Sequence, residues 1–207
     1  MKNEKLEPRK FYHILTRSVS EVEVFKEEEN YFFFLEKYKK YIHPVAETWA
    51  HALIGNHFHF VLRIRSEKAI CAIKTDFRGL NENDFSKKIS QQFSNLLNSY
   101  AQAYNKLYQR HGSLFQNPFK RQEIKSKMHL QNCITYANRN PVHHSFCNRI
   151  EDWSFTSYEA ILSDKPTLLN RKGVLQLNNN ASSFIDIHKN ATSSWLHKME
   201  EEFESSS

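Results

Sequence analysis

Residues 55–65 read GNHFHFVLRIR. In a β-strand successive side chains point to opposite faces, so Phe58, Phe60, Leu62 and Ile64 share one face while His57, His59, Val61, Arg63 and Arg65 share the other. The first face is a core. The second sets two imidazoles beside two guanidiniums, which no core requires. Just upstream, AHALI (residues 50–54) is another apolar run, and Gly55-Asn56 between the two is a tight-turn signal. The stretch therefore predicts a β-hairpin with chemistry on one side.

Outward from the hairpin the elements alternate. KFYHILTRS (residues 10–18) predicts a first strand and EENYFFFLEKYKKYI (residues 28–42) a helix. From Asp84 to about residue 110, Phe85, Ile89, Phe93, Leu97, Tyr100 and Tyr104 recur at three- or four-residue spacing and predict a long helix N-capped by Asp84. FKRQEIKS (residues 119–126) predicts a fourth strand, and MHLQNCITYANRN (residues 128–140) a last helix stopped by Pro141. The order βαββαβα implies an α+β fold, a ferredoxin-like (RRM-like) antiparallel sheet with helices on one face, plus a C-terminal extension. Beyond Asp152 this rhythm fades: WSFTSYEAIL is amphipathic and residues 178–183 read as a polar loop. The expected division is a domain over residues 1–161 and an extension over 162–207. The acidic end, Glu200, Glu201, Glu202 and Glu204 before three serines, is expected to be disordered.

Composition removes several function classes. A chain of 207 residues with 40% apolar content buries one good core. Four glycines leave no G-x-G-x-x-G and no P-loop, so no nucleotide cofactor is expected. No apolar run reaches the ~18 residues of a membrane span, and MKNEKLEPRK lacks the apolar stretch of a signal peptide, so a cytosolic protein is expected. Cys71, Cys133 and Cys147 form neither a C-x-x-C pair nor a disulfide framework, and read as reduced, mostly buried thiols.

The net charge of +6 is concentrated. Between residues 101 and 130, Lys106, Arg110, Lys120, Arg121, Lys125 and Lys127 face a single acid, Glu123, and Tyr104, Tyr108, Phe115 and Phe119 lie among them. Cations interleaved with stacking platforms suit single-stranded nucleic acid. The bland reading is a solvated face over a core helix. In the last predicted helix, Leu130, Cys133, Ile134 and Ala137 make an apolar stripe, while His129, Asn132, Tyr136 and Asn140 fall on a flank. Tyr136 is thus a tyrosine that the core pattern does not claim. Asn140 precedes Pro141, which biases it out of the helical region and leaves its direction open.

Four motifs in order carry a resemblance: N-H-F-H-F, then Y-N-K-L-Y-Q-R-H-G-S-L-F-Q-N-P-F-K, then T-Y-A-N-R-N-P-V, then D-W-S-F-T-S-Y. Together they resemble the single-tyrosine HUH transposases of insertion-sequence 200-like type, and within them the REP-associated tyrosine transposases. Gly55 stands where many such proteins carry proline, and LLNRKGVLQL followed by FIDIHK resembles their C-terminal extension. The resemblance implies that His57 and His59, helped by Asn140, bind a divalent metal, Mg²⁺ or Mn²⁺. It implies that Tyr136 is a nucleophile that leaves a 5′-phosphotyrosine and a free 3′-OH. The implied partner is single-stranded or hairpin DNA, held by Lys106, Arg110, Lys120, Arg121, Lys125, Lys127 and Arg63, with the protein working in DNA transposition or recombination near the nucleoid, as a monomer rather than a homodimer. The alternative is a regulatory protein on the same fold that grips a DNA or RNA hairpin without cutting it. The structural readings set against these roles are a sheet-surface histidine pair and a packed tyrosine. Tyr100, Tyr104 and Tyr108, at four-residue spacing, read as packing or base-stacking residues.

Overall fold

The computed structural model describes residues 4–205, and the last two serines lie outside them. The hairpin forms as its alternation dictates: β2 (Ala46–Ile54) and β3 (His57–Ile64) flank the Gly55-Asn56 turn. Gly55 sits close to its neighbours, since a Cβ there would come within 3.1 Å of the Phe146 side chain, and its carbonyl accepts from the N–H groups of Val24 and Phe25. With β1 (Phe11–Arg17) and β4 (Lys120–Ile124) the strands make a four-stranded antiparallel sheet in the order β2-β3-β1-β4. This is the ferredoxin-like arrangement the element order implies.

Two helices cover one face, as expected: α1 (Glu28–Tyr41) and α3 (Glu82–Leu107). Phe34 packs 5.1 Å from Phe58, and Tyr100 packs 5.2 Å from Phe34, joining both helices to the inward side of β3 in one core. The N-cap of α3 is Asn81 and not Asp84, because the Asn81 side chain accepts from Asp84 N–H. A short helix, α2 (Glu67–Ile73), capped by Ser66, precedes α3 and was not anticipated.

The other face is not open. It carries α4 (Lys127–His143), which begins at the Ser126 cap and runs through Pro141. The expected stop at Pro141 fails for a physical reason. Proline removes one N–H, but the turn closes beyond it through His144 N–H to the Asn140 carbonyl at 3.0 Å, and Pro141 itself is buried. Four further helices pack around α4: α5 (Tyr158–Leu162), α6 (Arg171–Leu177), α7 (Ala181–Asn190) and α8 (Ser193–Ser205). The polar run at 178–183 is mostly a helix start, with Asn180 accepting from Ser183 N–H to cap α7. The acidic end is helical up to Ser205. It lies on α8, whose Leu196, Met199 and Phe203 join Tyr136, Val174 and Phe184 in a second core. Of the three free cysteines only Cys133 is fully buried.

Candidate active site

Register brings the histidines together. His57 stands opposite Arg17 and His59 opposite Leu15 on β1, and Val61 opposite His13. Side chains directly opposite share a face, so Arg17, Leu15 and His13 lie on the same side as His57 and His59. His13 was not singled out from the sequence, although the alternation of β1 already separates it from Tyr12 and Ile14. Its Nε2 lies 2.9 Å from His59 Nδ1, with the rings stacked at 5.1 Å. If His59 Nδ1–H donates to His13, the lone pair of His59 Nε2 is left over, and that atom is buried with no partner among the described residues.

From the other side α4 delivers Tyr136 and Asn140, one turn apart on a single helix face. Of the flank read from sequence, Tyr136 and Asn140 are buried and His129 and Asn132 half-buried, because α4 is covered on two sides, by the sheet and by α7 and α8. Asn140 keeps helical geometry through Pro141, and its Oδ1 lies 2.8 Å from His57 Nε2. The Tyr136 ring is 5.4 Å from that of His59 and 6.4 Å from that of His13, and the residue is 1% exposed. Behind the helix, Ser157 Oγ donates to Asn138 Oδ1 at 2.6 Å, and Asn138 Nδ2 lies 3.1 Å from His188 Nε2 of α7. Trp153 Nε1–H donates to the Leu53 carbonyl at 2.9 Å. The D-W-S-F-T-S-Y segment is thus a brace between α4 and β2.

Burial keeps these imidazoles neutral. It lowers the pKa of His13 and His57 to about 3 and holds His59 well below its ordinary value; His144 acts in the same direction on His57, and His13 on His59. Neutral imidazole is the ligand form. The residues also fit a divalent cation. A neutral His57 has one N–H, and both of its nitrogens face oxygens: Nδ1 lies 2.7 Å from Asn56 Oδ1 and Nε2 2.8 Å from Asn140 Oδ1. With Nδ1–H donated to Asn56, two lone pairs face each other at the Asn140 end. A cation bound by both satisfies them; without one, either the Asn140 amide turns over or His57 takes its other tautomer and the Asn56 amide turns over, and as it stands Asn140 Nδ2 has no partner among the described residues. Oxygen and nitrogen ligands about 2.1 Å from an octahedral ion lie roughly 3 Å apart, which matches the His57–Asn140 spacing.

A lid of α8 covers the site. The Phe203 ring lies 4.0 Å from that of His13 and 5.2 Å from that of Tyr136. Glu200 is held at 3.0 Å by Arg17 Nη2 and lies 2.8 Å from His143 Nε2. Together these contacts lower the Glu200 pKa against the opposing effect of its own burial, which is the largest single influence. Glu200, Phe203, His143 and Arg17 were not found from sequence, since the end of the chain read as a solvated tail.

The basic residues separate into two groups. Arg110 spends its guanidinium on the Gly112 and Ser113 carbonyls and on Asn105 Oδ1. Arg121 donates to Ser90 Oγ of α3 at 2.7 Å and lies 4.8 Å over the Phe119 ring. Neighbouring strand residues face opposite ways: Arg121 pairs with Ile14 on the core side, whereas Lys120 pairs with Leu15 on the histidine side. Arg63 also faces that side, 5.7 Å over the Phe11 ring, and donates to the Arg9 carbonyl. Lys106, Lys125 and Lys127 are exposed, the last two at the entry to α4. Among the described residues no helix is long and apolar enough to cross a membrane.

No protein-family model and no curated protein matches the chain. Among solved structures, it is similar to that of a REP-associated tyrosine transposase bound to a REP hairpin, with a TM-score of 0.53 and 10% sequence identity, over 80% of this chain and 88% of that one. The likeness spans most of both chains, and it shows that this chain shares the fold of that REP-associated tyrosine transposase.

Proposed function

We propose that this chain is a metal-dependent single-strand DNA endonuclease and strand transferase of the HUH tyrosine-transposase kind, acting on hairpin DNA. The observation that carries the reading is the convergence of Tyr136, His57, His59 and Asn140 on one buried site, with His57 and Asn140 meeting across 83 residues of sequence. His57, His59 and Asn140 would hold the cation, with His13 orienting His59 from behind. A divalent cation bound there polarises the scissile phosphate and lowers the cost of charge that develops on it. Tyr136 Oη attacks phosphorus, the phenolic proton leaves to solvent or a neighbouring base, and the 3′ oxygen departs. The product is a 5′-phosphotyrosine with a free 3′-OH, which conserves the phosphodiester for rejoining. Lys120, Lys125 and Lys127 around the entry to α4 lead the phosphate contacts, ahead of Lys106 and Arg63. Arg110 and Arg121 have a smaller part because their guanidiniums are engaged within the protein.

The reading requires α8 to move, because Tyr136 is 1% exposed beneath Phe203. That same burial favours the second reading, a protein that grips a hairpin without cutting it. The two are separated by incubating a 3′-labelled single-stranded hairpin with Mg²⁺ or Mn²⁺. The wild type is expected to form a protein–DNA adduct that survives boiling in detergent, and Tyr136→Phe is expected to bind the hairpin without forming it. Tight binding with no adduct under either metal would favour the non-cleaving reading.

A further inference from the structure

Where the end of α4 meets α8, a group of side chains gathers that neither the strand histidines nor Tyr136 uses. His143 and His144 close α4, and Glu200 reaches them from a position 57 residues later than His143. His143 Nε2 lies 2.8 Å from one carboxylate oxygen of Glu200, and His144 Nε2 3.7 Å from the other. One donor atom from each of the three residues falls within 4.8 Å of the others. His197, one turn before Glu200 on α8, sets its ring 4.7 Å from that of His143. Its Nδ1–H is donated to the Ser193 carbonyl at 2.8 Å, which leaves the Nε2 lone pair as the donor.

We propose that His143, His144 and Glu200 form a second divalent-cation site of the Zn²⁺ class that clamps α8 onto α4, with the neighbouring His197 ring turning in to supply a fourth ligand. Imidazoles and a carboxylate are the donors Zn²⁺ takes, each at about 2.0–2.2 Å, so atoms around a tetrahedral ion stand roughly 3.4 Å apart. His143 Nε2 stands 2.8 Å from the Glu200 oxygen left for the ion, and one donor atom of each of the three residues lies within 4.8 Å of the others, so small side-chain shifts bring them to that spacing. His197 and Glu200 sit at positions i and i+3 and so present their donors from one face of α8. Arg17 Nη2 donates to Glu200 at 3.0 Å, on the oxygen farther from His143, and so orients the carboxylate while leaving the other oxygen for the ion. The site is separate from the strand pair. The His57 ring touches that of His144 at 4.9 Å, but its two nitrogens are directed at Asn56 and Asn140.

The full chain, stripped with chelator and free of DNA, is titrated with Zn²⁺ and with Co²⁺, whose tetrahedral complexes absorb in the visible. Glu200→Gln and His143→Gln are expected to lose one tightly bound equivalent of Zn²⁺, the Co²⁺ absorption and the Zn²⁺-induced rise in Tm. A His57→Ala, His59→Ala double variant is expected to keep all three. His197→Gln, at an exposed position where folding is not at stake, is expected to weaken Zn²⁺ by about tenfold or more. The proposal is overturned if Glu200→Gln and His143→Gln, folded by circular dichroism, hold as much Zn²⁺ as the wild type. It is overturned equally if the Co²⁺ absorption disappears with His57 and His59 and persists without Glu200. If Glu200→Gln or His143→Gln does not fold, the exposed His197→Gln arm decides, and unchanged Zn²⁺ affinity there removes the four-ligand site. Because no DNA is present, these outcomes stand apart from whether the protein cleaves.

Discussion

Replacing His188 by leucine removes a bond that holds the Tyr136 helix, α4, from behind while keeping comparable apolar bulk. His188 Nδ1–H donates to the Phe184 carbonyl at 2.7 Å, and Nε2 accepts from Asn138 Nδ2 at 3.1 Å, so α7 is tied to α4 midway between Tyr136 and Asn140. Leucine would strand the Asn138 amide N–H in a buried site, at a cost of roughly 1–3 kcal/mol at pH 7. The pH dependence then has a definite sign. Burial, the largest cause, lowers the His188 pKa from 6.5 to about 4. The unfolded chain takes up a proton near pH 6.5 while the folded one does not. Stability present above that pH is therefore lost as the pH falls toward the folded value. At 1.36 kcal/mol per pH unit, His188 costs the wild type about 2 kcal/mol between pH 7 and pH 5. The variant escapes that loss. Urea denaturation of both proteins in EDTA is therefore expected to show a gap of roughly 1–3 kcal/mol at pH 7 that narrows by about 2 kcal/mol at pH 5. A gap that stays constant with pH, or one below about 0.5 kcal/mol at pH 7, would refute the reasoning, since it would mean that His188 is neither neutral nor holding Asn138.

Other substitutions test other parts. His13→Leu is expected to weaken Mn²⁺ binding at the strand site by about 10–100-fold in calorimetry without DNA, because His59 loses its orienting partner; unchanged affinity would remove His13 from the site. Lys125→Ala with Lys127→Ala is expected to weaken hairpin binding and to flatten the slope of log K against log salt by about 1.4, two contacts at roughly 0.7 each on single strands; an unchanged slope would place the phosphates elsewhere. Arg121→Ala is expected to lower stability by roughly 1–2 kcal/mol through the lost bond to Ser90 and the lost stacking on Phe119, while its salt slope stays that of the wild type.

How far the sequence could be read depends on the range of the contacts involved. The hairpin, β1, α1 and α3 were legible because each buries one side of a periodic pattern, and the fold class followed from their order. The histidine face was legible for the same reason. The paired role of His13 was not, since it depends on the antiparallel register of β1 against β3, which a local pattern does not state. The end of α4 was misread because Pro141 is a local stop signal that burial overrides. The C-terminal helices were missed for a different reason. Their apolar residues are few and widely spaced, so Leu196, Met199 and Phe203 gain meaning only against the face of α4 they cover. Glu200 looked like part of a solvated acidic run until Arg17 and His143 supplied its partners.

The central claim is that Tyr136 takes the DNA, and the most direct measurement locates the bond. The boiled adduct formed on a hairpin with Mn²⁺ is digested with trypsin and nuclease and read by tandem mass spectrometry. Cleavage after Lys127 and Arg139 isolates residues 128–139, in which Tyr136 is the sole tyrosine. The account predicts a nucleotide phosphate on that peptide, on Tyr136, joined to the strand's 5′ end. A phosphate on Tyr104, Tyr108 or any other tyrosine, or hairpin binding that never yields an adduct with either metal, would contradict it.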